Sequence, residues 1–195
     1  SPLAEGVHDV RLLSFEAEDV SLSGRPWFRV PSGGRVEVTS SRIQGFEVTD
    51  APLIEMDGYV SLSLILAIEG SELGGVLRCL VGCNLGSNFG GASLRAEGVR
   101  STAPLIVIGD QPSTSGGGSS LSVAGGDVSA PSVVSYADHD GQFEISGDVG
   151  VMPLISSTAD RGLLKLTATS LEGASLNEPV LRSTGTSDVY VYNVS

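Results

Sequence analysis

The chain has 195 residues and sets 23 Asp and Glu against 11 Lys and Arg, giving a net charge of −12 with only 5% aromatic residues. Arginines spread thinly among twice as many carboxylates cannot form the basic stripe that replaces released counterions, which excludes nucleic acid as a partner. The most apolar run, Val60 to Ile68, is broken by Ser61 and Ser63 and falls short of the roughly 18 residues of a spanning helix, so no membrane span is expected.

Taken along the chain, two markers recur in step. The first is a proline followed by an apolar triplet. Ser1-Pro2-Leu3 opens the series, and Arg25-Pro26-Trp27-Phe28-Arg29-Val30 and Ala51-Pro52-Leu53-Ile54-Glu55-Met56 follow. Gly75 then takes the place of proline in Gly74-Gly75-Val76-Leu77-Arg78-Cys79. Ala103-Pro104-Leu105-Ile106-Val107-Ile108, Ala130-Pro131-Ser132-Val133-Val134, Met152-Pro153-Leu154-Ile155 and Glu178-Pro179-Val180-Leu181 complete it. The mean period from Pro2 to Pro179 is about 25 residues.

The second marker is an apolar–polar–apolar triplet ahead of most prolines. It begins with Phe15-Glu16-Ala17 and continues through Val36-Glu37-Val38, Val60-Ser61-Leu62, Leu94-Arg95-Ala96 and Leu121-Ser122-Val123. Phe143-Glu144-Ile145, Leu164-Lys165-Leu166 and Val189-Tyr190-Val191 carry it to the end. A single apolar residue follows each of the first seven triplets: Val20, Ile43, Ile68, Val99, Val128, Val149 and Leu171. Period-2 alternation predicts short half-buried strands, and the Gly, Asp, Ser and Pro between them predict corners. Three strands per period is the unit of a parallel solenoid, in which each coil stacks about 4.8 Å from the last and like residues pile into ladders. Proline lacks an N–H and belongs at a corner or at the first residue of a strand. Phe28 with Val30, Ile54 with Met56, Leu77 with Cys79, Ile106 with Ile108 and Val134 with Tyr136 are then expected to face inward together.

This pattern of corner residues and aliphatic stacks resembles the right-handed parallel β-helices of the pectin-lyase-like superfamily, which includes pectate lyases, polygalacturonases, phage tailspikes and bacterial surface proteins. The resemblance covers the whole chain as architecture and implies an all-β, right-handed parallel β-helix of about seven coils with about 25 residues in each. Ser87-Asn88-Phe89-Gly90-Gly91-Ala92-Ser93-Leu94 also resembles the repeat of polymorphic outer-membrane autotransporter passengers. The FxxN motif of that family is absent: Phe15, Phe46 and Phe143 are followed by Glu-Ala-Glu, Glu-Val-Thr and Glu-Ile-Ser.

Candidate sites resolve mostly into structure. Asp138-His139-Asp140-Gly141 could hold a cation or move protons, but Met56-Asp57-Gly58 and Asp160-Arg161-Gly162 occupy the same phase and point to turn chemistry. His8-Asp9 sits in an ordinary strand context. Glu16, Glu37 and Glu144 hold the middle of their triplets, where other coils place Ser61, Arg95, Ser122 and Lys165, so this face reads as a mixed exposed surface rather than a paired-carboxylate site. The Asn-Thr-Asp, Asp-Asp, Gly-His-Gly and Arg-x-Lys motifs of polygalacturonases are missing. Trp27 falls in the phase of Leu53, Leu105 and Leu154 and is expected to pack inside. Cys79 is expected to be a buried free thiol rather than bonded to Cys83. Longer excursions from the wall are expected at Gly82 to Gly91 and Asp110 to Ser120.

No catalytic, cofactor-binding or metal-ligating residue is assigned, and no cofactor is expected. The chain reads as a single β-helix segment, residues 1–195, of a longer solenoid, since no amphipathic helix stands at either end to cap it. Its expected partners are other segments of the same chain or neighbouring chains stacked on the solenoid ends, with a glycan or cell-surface ligand as a further partner. The expected role is a non-enzymatic extracellular structural or adhesive segment of a surface protein, filament or fibre, on the cell or virion surface. A phage tailspike or tail-fibre segment recognising host glycan, and a fragment of an extracellular polysaccharide lyase or hydrolase, are the alternatives.

Overall fold

A computed structural model describes residues 4–5, 9–57, 61–79, 84–85, 92–109, 119–137, 140–149, 153–159, 163–172, 179–186 and 188–192. Every secondary-structure element among them is a β-strand, and every strand pair is parallel. The strands form three faces of a β-solenoid.

Face 1 is the triplet after each proline. Its eight strands run from Ala4–Glu5 through Phe28–Val30, Ile54–Met56, Leu77–Cys79, Ile106–Ile108, Val134–Tyr136 and Ile155–Ser157 to Leu181–Ser183. Register partners lie 26 residues apart at Phe28 and Ile54, 29 at Leu77 and Ile106, and 21 at Val134 and Ile155. The 29-residue coil contains the expected Gly82 to Gly91 excursion, where Asn84–Leu85 instead forms a short strand beside Ser61–Glu69. The rest of that excursion, and most of Asp110 to Ser120, lie outside the described residues. All the inward pairs expected on this face are buried. Each fully buried apolar side chain is worth about 1.5–3 kcal/mol of transfer free energy, so the ladder of Phe28, Ile54, Leu77, Ile106, Val134 and Ile155 is a main source of stability.

Face 2 holds the long strands: Asp9–Leu13, Arg35–Gln44, Ser61–Glu69, Ala92–Glu97, Ser119–Gly126, Gly141–Asp148, Leu163–Glu172 and Asp188–Tyr192, with Glu16–Glu18 beside Arg35–Gln44. One inward ladder reads Leu12, Val38, Leu64, Ala92, Leu121, Phe143, Leu166, Val191. The expected triplets point the right way but are not all level. Leu94 pairs with Val123 rather than Leu121, and Leu164 with Gly141 rather than Phe143. A slip of two residues keeps every side chain on its own side, so alternation alone cannot detect it. Phe15-Glu16-Ala17 is not the first member of the ladder; Val10-Arg11-Leu12 is. A bulge separates the two segments, with Ser14 and Ser40 both at positive φ, 50° and 51°, and Ser14 N–H bonded to the Thr39 carbonyl at 2.9 Å.

Face 3 is formed by Ser21–Ser23, Glu47–Thr49, Glu72–Leu73 and Arg100–Ser101, extended by a single bridge from Arg100 to Ser129. Because this face is confined to those levels, about five turns of about 26 residues carry the solenoid, fewer than the seven expected. Its inward residues are Leu22, Val48 and Leu73. The corner leading into it is itself a ladder: Asp19, Gly45, Gly70, Gly98 and Asp127 all take positive φ, and each of the first four donates its N–H to the preceding coil-edge carbonyl of the next coil. Gly and Asp are the residues that tolerate this left-handed conformation.

Inside the first coils Trp27 packs as expected. Its ring lies 4.4 Å from Phe28, 4.9 Å from Phe46 in an edge-on contact and 5.7 Å from Phe15, so the three faces meet around one aromatic cluster. Two buried serines satisfy backbone that the bulge and corner leave unpaired. Ser71 accepts the Phe46 N–H at 3.1 Å and donates to the Glu69 carbonyl at 2.8 Å; Ser41 accepts the Phe15 N–H at 3.3 Å. Cys79 is buried, as its inward position required, but the free thiol is corrected: it is disulfide-bonded. Cys83 is the chain's only other cysteine and lies outside the described residues. Alternation reports which side a side chain takes, not the oxidation state of its sulfur.

Candidate functional site: the outer wall of face 2

Two outward ladders run side by side on face 2. One carries Ser120, Gln142, Lys165 and Tyr190; the other Ile65, Ser93, Ser122, Glu144, Thr167 and Tyr192. The small side chains Ser93, Ser120 and Ser122 sink the middle of the wall. Gln142, Glu144, Lys165 and Thr167 stand along it, and Ile65 and Tyr192 close its ends. The result is an open groove of about 390 Å³ whose lining also includes Ala92, Leu121 and Phe143. The rings of Tyr190 and Tyr192 are stacked, 6.4 Å apart and 15° from parallel. Chemically the groove offers hydroxyls, one amide, one ammonium and one carboxylate at steps of roughly 4.8 Å, the strand spacing. Among its described lining residues Glu144 is the single carboxylate, whereas glycosidases work with two carboxyl groups roughly 5–10 Å apart.

Face 3 has a slightly smaller groove of about 360 Å³, lined by Thr49, Asp50, Glu72, Leu73, Arg100, Ser101, Thr102 and Ser129. Arg100 is level with Glu72 and lies 3.8 Å from the Asp127 carboxylate. At the corner between faces 2 and 3, Arg42 bonds to Glu69. That hydrogen bond and the Glu69 charge, with Glu16 and Glu18 adding to it, raise the guanidinium pKa further above its ordinary value.

The structure separates the three carboxylates that shared a place in the triplet pattern. Glu37 is level with Arg11 and Ser63, Glu144 with Ser122 and Thr167 in the neighbouring ladder, and Glu16 with Arg42. Asp140 serves the turn: its carboxylate accepts the Leu163 N–H of the next coil at 2.7 Å, and its carbonyl accepts the Tyr136 hydroxyl. Asp138, His139, His8 and Asp160 lie outside the described residues, as do Ser87 to Gly91 of the autotransporter-like segment. Asp9 is exposed at the start of its strand. Among the described residues no group of three or more His, Cys, Asp or Glu side chains is placed to hold a metal ion, and no helix is long and apolar enough to cross a membrane.

One charged residue escaped the sequence pattern. Glu55 sits in the outward position of face 1 yet is buried, because Arg29 and Arg78 of the coils on either side close over it. Arg29 meets it at 2.6 Å and Arg78 bonds to its other carboxylate oxygen; Arg29 also reaches Asp57 at 3.4 Å. A buried carboxylate survives only when paired in this way, and both arginines keep contact with water. Alternation of charge along the ladder from Arg29 to Glu55 to Arg78 is the signal that could have found it.

Comparison with protein-family models, with curated proteins and with solved structures finds no match.

Proposed function

We propose that this chain is a non-enzymatic extracellular structural or adhesive segment, a β-solenoid of the pectin-lyase-like type that serves as a stiff rod in a surface protein, filament or fibre. The observation that carries this reading is the continuous parallel pairing of faces 1 and 2 through eight strands each, interrupted on face 2 only by two local register shifts, which ties the coils together by backbone hydrogen bonds and a continuous core. The disulfide at Cys79 fits an oxidising compartment, where such bonds form and persist. The hydroxyl-rich outer wall and a net charge of −12 fit a surface that remains in water.

A second reading, recognition of a host glycan, draws on the face 2 groove. Tyr192 offers an aromatic plane there, and Ser122, Gln142 and Thr167 offer hydrogen-bonding groups. A panel of acidic and neutral polysaccharides, assayed in parallel for binding and for release of reducing or unsaturated ends, tests both. The rod reading predicts no product from any polymer. Binding without product, weakened roughly tenfold by Tyr192→Ala, would favour glycan recognition. Steady product release lost in Glu144→Gln would replace both with an enzyme.

A further inference from the structure

The strands of face 1 are nearly interchangeable in what they bury. Phe28 and Val30, Ile54 and Met56, Leu77 and Cys79, and Ile106 and Ile108 each present an inward apolar pair, all of it buried. Burial of this kind is non-directional and grows with area, so it does not distinguish the neighbouring coil from the next but one. The outward residues do differ. Along one ladder stand Glu5, Arg29, Glu55 and Arg78, level with one another in that order and alternating in sign. Glu55 carries the alternation inside: its side chain is 3% exposed, and Arg29 and Arg78 take one carboxylate oxygen each, Arg29 at 2.6 Å. The arrangement is not tuned for stability. The Arg78 Nε is buried with no acceptor, and a buried ion pair stabilises little over an apolar set of the same size.

We propose that this charge ladder fixes the order in which the coils stack, by penalising a solenoid that leaves one coil out. Pairing of Phe28–Val30 with Leu77–Cys79, past Ile54–Met56, would keep an apolar core but set Arg29 beside Arg78 without the carboxylate between them. Omitting the next coil would leave Glu55 beside Val107, and on face 2 it would bring Arg42 level with Arg95, which Ala67 now separates. Like charges level on neighbouring strands repel, and a charge buried without a partner is strongly destabilising. Either error therefore meets a charge conflict that the native order avoids. Beyond Arg78 the ladder continues as Val107, Ser135 and Ser156, so the device belongs to the first coils. Coil order must be fixed whatever the outer wall binds, so the inference goes beyond the rod reading and does not depend on it.

The test separates order from stability. Two triads are compared with the parent, and all three chains carry Glu5→Gln and Asp57→Asn. Position 5 is level with Arg29 and position 57 lies within its reach at 3.4 Å, so neither then favours one sign. The neutral triad is Arg29→Met, Glu55→Leu and Arg78→Met; the inverted triad is Arg29→Glu, Glu55→Arg and Arg78→Glu. Nitroxides on Arg11→Cys and Lys165→Cys report the number of coils between them. The two positions each precede a member of the inward face 2 ladder, six strands apart, so the native stack gives roughly 29 Å and a stack one coil short roughly 24 Å. Each chain is unfolded in urea and refolded by dilution. The parent and the inverted triad are expected to return to one population at the longer distance. The neutral triad is expected to keep or exceed the parent's urea midpoint, yet to add a second population about 5 Å shorter. Should circular dichroism show that the neutral triad has lost its strands, Arg29→Gln, Glu55→Gln and Arg78→Gln replace it. A neutral triad that refolds to the native distance alone, or an inverted triad that shows the shorter one, overturns the proposal. Neutral chains that fold in neither form also overturn it, because the ladder then supplies stability rather than order.

Discussion

Replacing Phe28 with alanine is expected to lower the unfolding free energy by about 3–5 kcal/mol, the range for emptying an aromatic site in a packed core. Phe28 is 1% exposed, packs against Trp27 with the rings tilted by 51° and pairs with Ile54 on the next coil. Neither surrounding wall can collapse into the space, because the backbones on both sides are fixed by the ladder. Trp27 is the only tryptophan, so its fluorescence follows the loss directly during denaturant unfolding. In a solenoid each coil contacts mainly its neighbours, so the damage is local as well. Amide exchange should accelerate most at Phe28–Val30 and Ile54–Met56 and least at Val134–Tyr136. A loss below about 1 kcal/mol would mean that the first coils are not packed as described.

Gly147→Ala is expected to destabilise by more than about 3 kcal/mol, from strain and overlap together. Gly147 has φ of 90°, and a Cβ there would lie 2.2 Å from the Gly125 carbonyl oxygen, a backbone atom held in the adjacent strand. The ladder register also shifts between Ser146 and Gly147, so this glycine is where the chain re-aims its strand. Gly33→Ala separates the two contributions: its φ is 84° but a Cβ would meet nothing within 4 Å. That variant should lose only about 1 kcal/mol, the strain alone. Equal midpoints for the two variants in urea would contradict the close approach of Gly125 to Gly147.

Much of the architecture was legible because two signals were redundant. Proline or glycine fixed the phase of face 1, and the apolar pair after it fixed the inward side, so Ile54 with Met56 and Leu77 with Cys79 were located to the residue. Face 2 was legible in orientation but not in level. Its alternation is unchanged by a slip of two, and no corner residue pins Leu94 against Val123 rather than Leu121. Face 3 was misplaced: of the single apolar residues expected to mark a third strand, Ile43, Ile68 and Leu171 lie in the long strands of face 2, and the true face 3 strands of two or three residues contribute one inward side chain each, such as Val48 or Leu73, with no run to show a period. Counting one complete turn for each proline therefore gave seven where about five carry all three faces.

The groove on face 2 was illegible for a related reason. Its lining comes from six strands spread between Ile65 and Tyr192, and only the levels of the ladder bring Ser122, Glu144 and Lys165 together. The burial of Glu55 likewise depends on arginines 26 residues before it and 23 after it. Local pattern assigns a side chain to a wall; what stands over it belongs to the neighbouring coils.

The central claim is that these coils stack in parallel at the ladder spacing, and a distance between spin labels tests it. Glu37 and Lys165 each precede a member of the inward ladder that runs from Val38 through Leu64, Ala92, Leu121 and Phe143 to Leu166, so they are level on the outer wall of face 2, five strands apart along the order Arg35–Gln44, Ser61–Glu69, Ala92–Glu97, Ser119–Gly126, Gly141–Asp148, Leu163–Glu172. Nitroxides attached to cysteines at these two positions, in protein diluted with unlabelled chain, should give a narrow distribution centred at roughly 24 Å, five steps of about 4.8 Å. A broad distribution, or one centred below about 18 Å or above about 30 Å, would contradict the stacked solenoid.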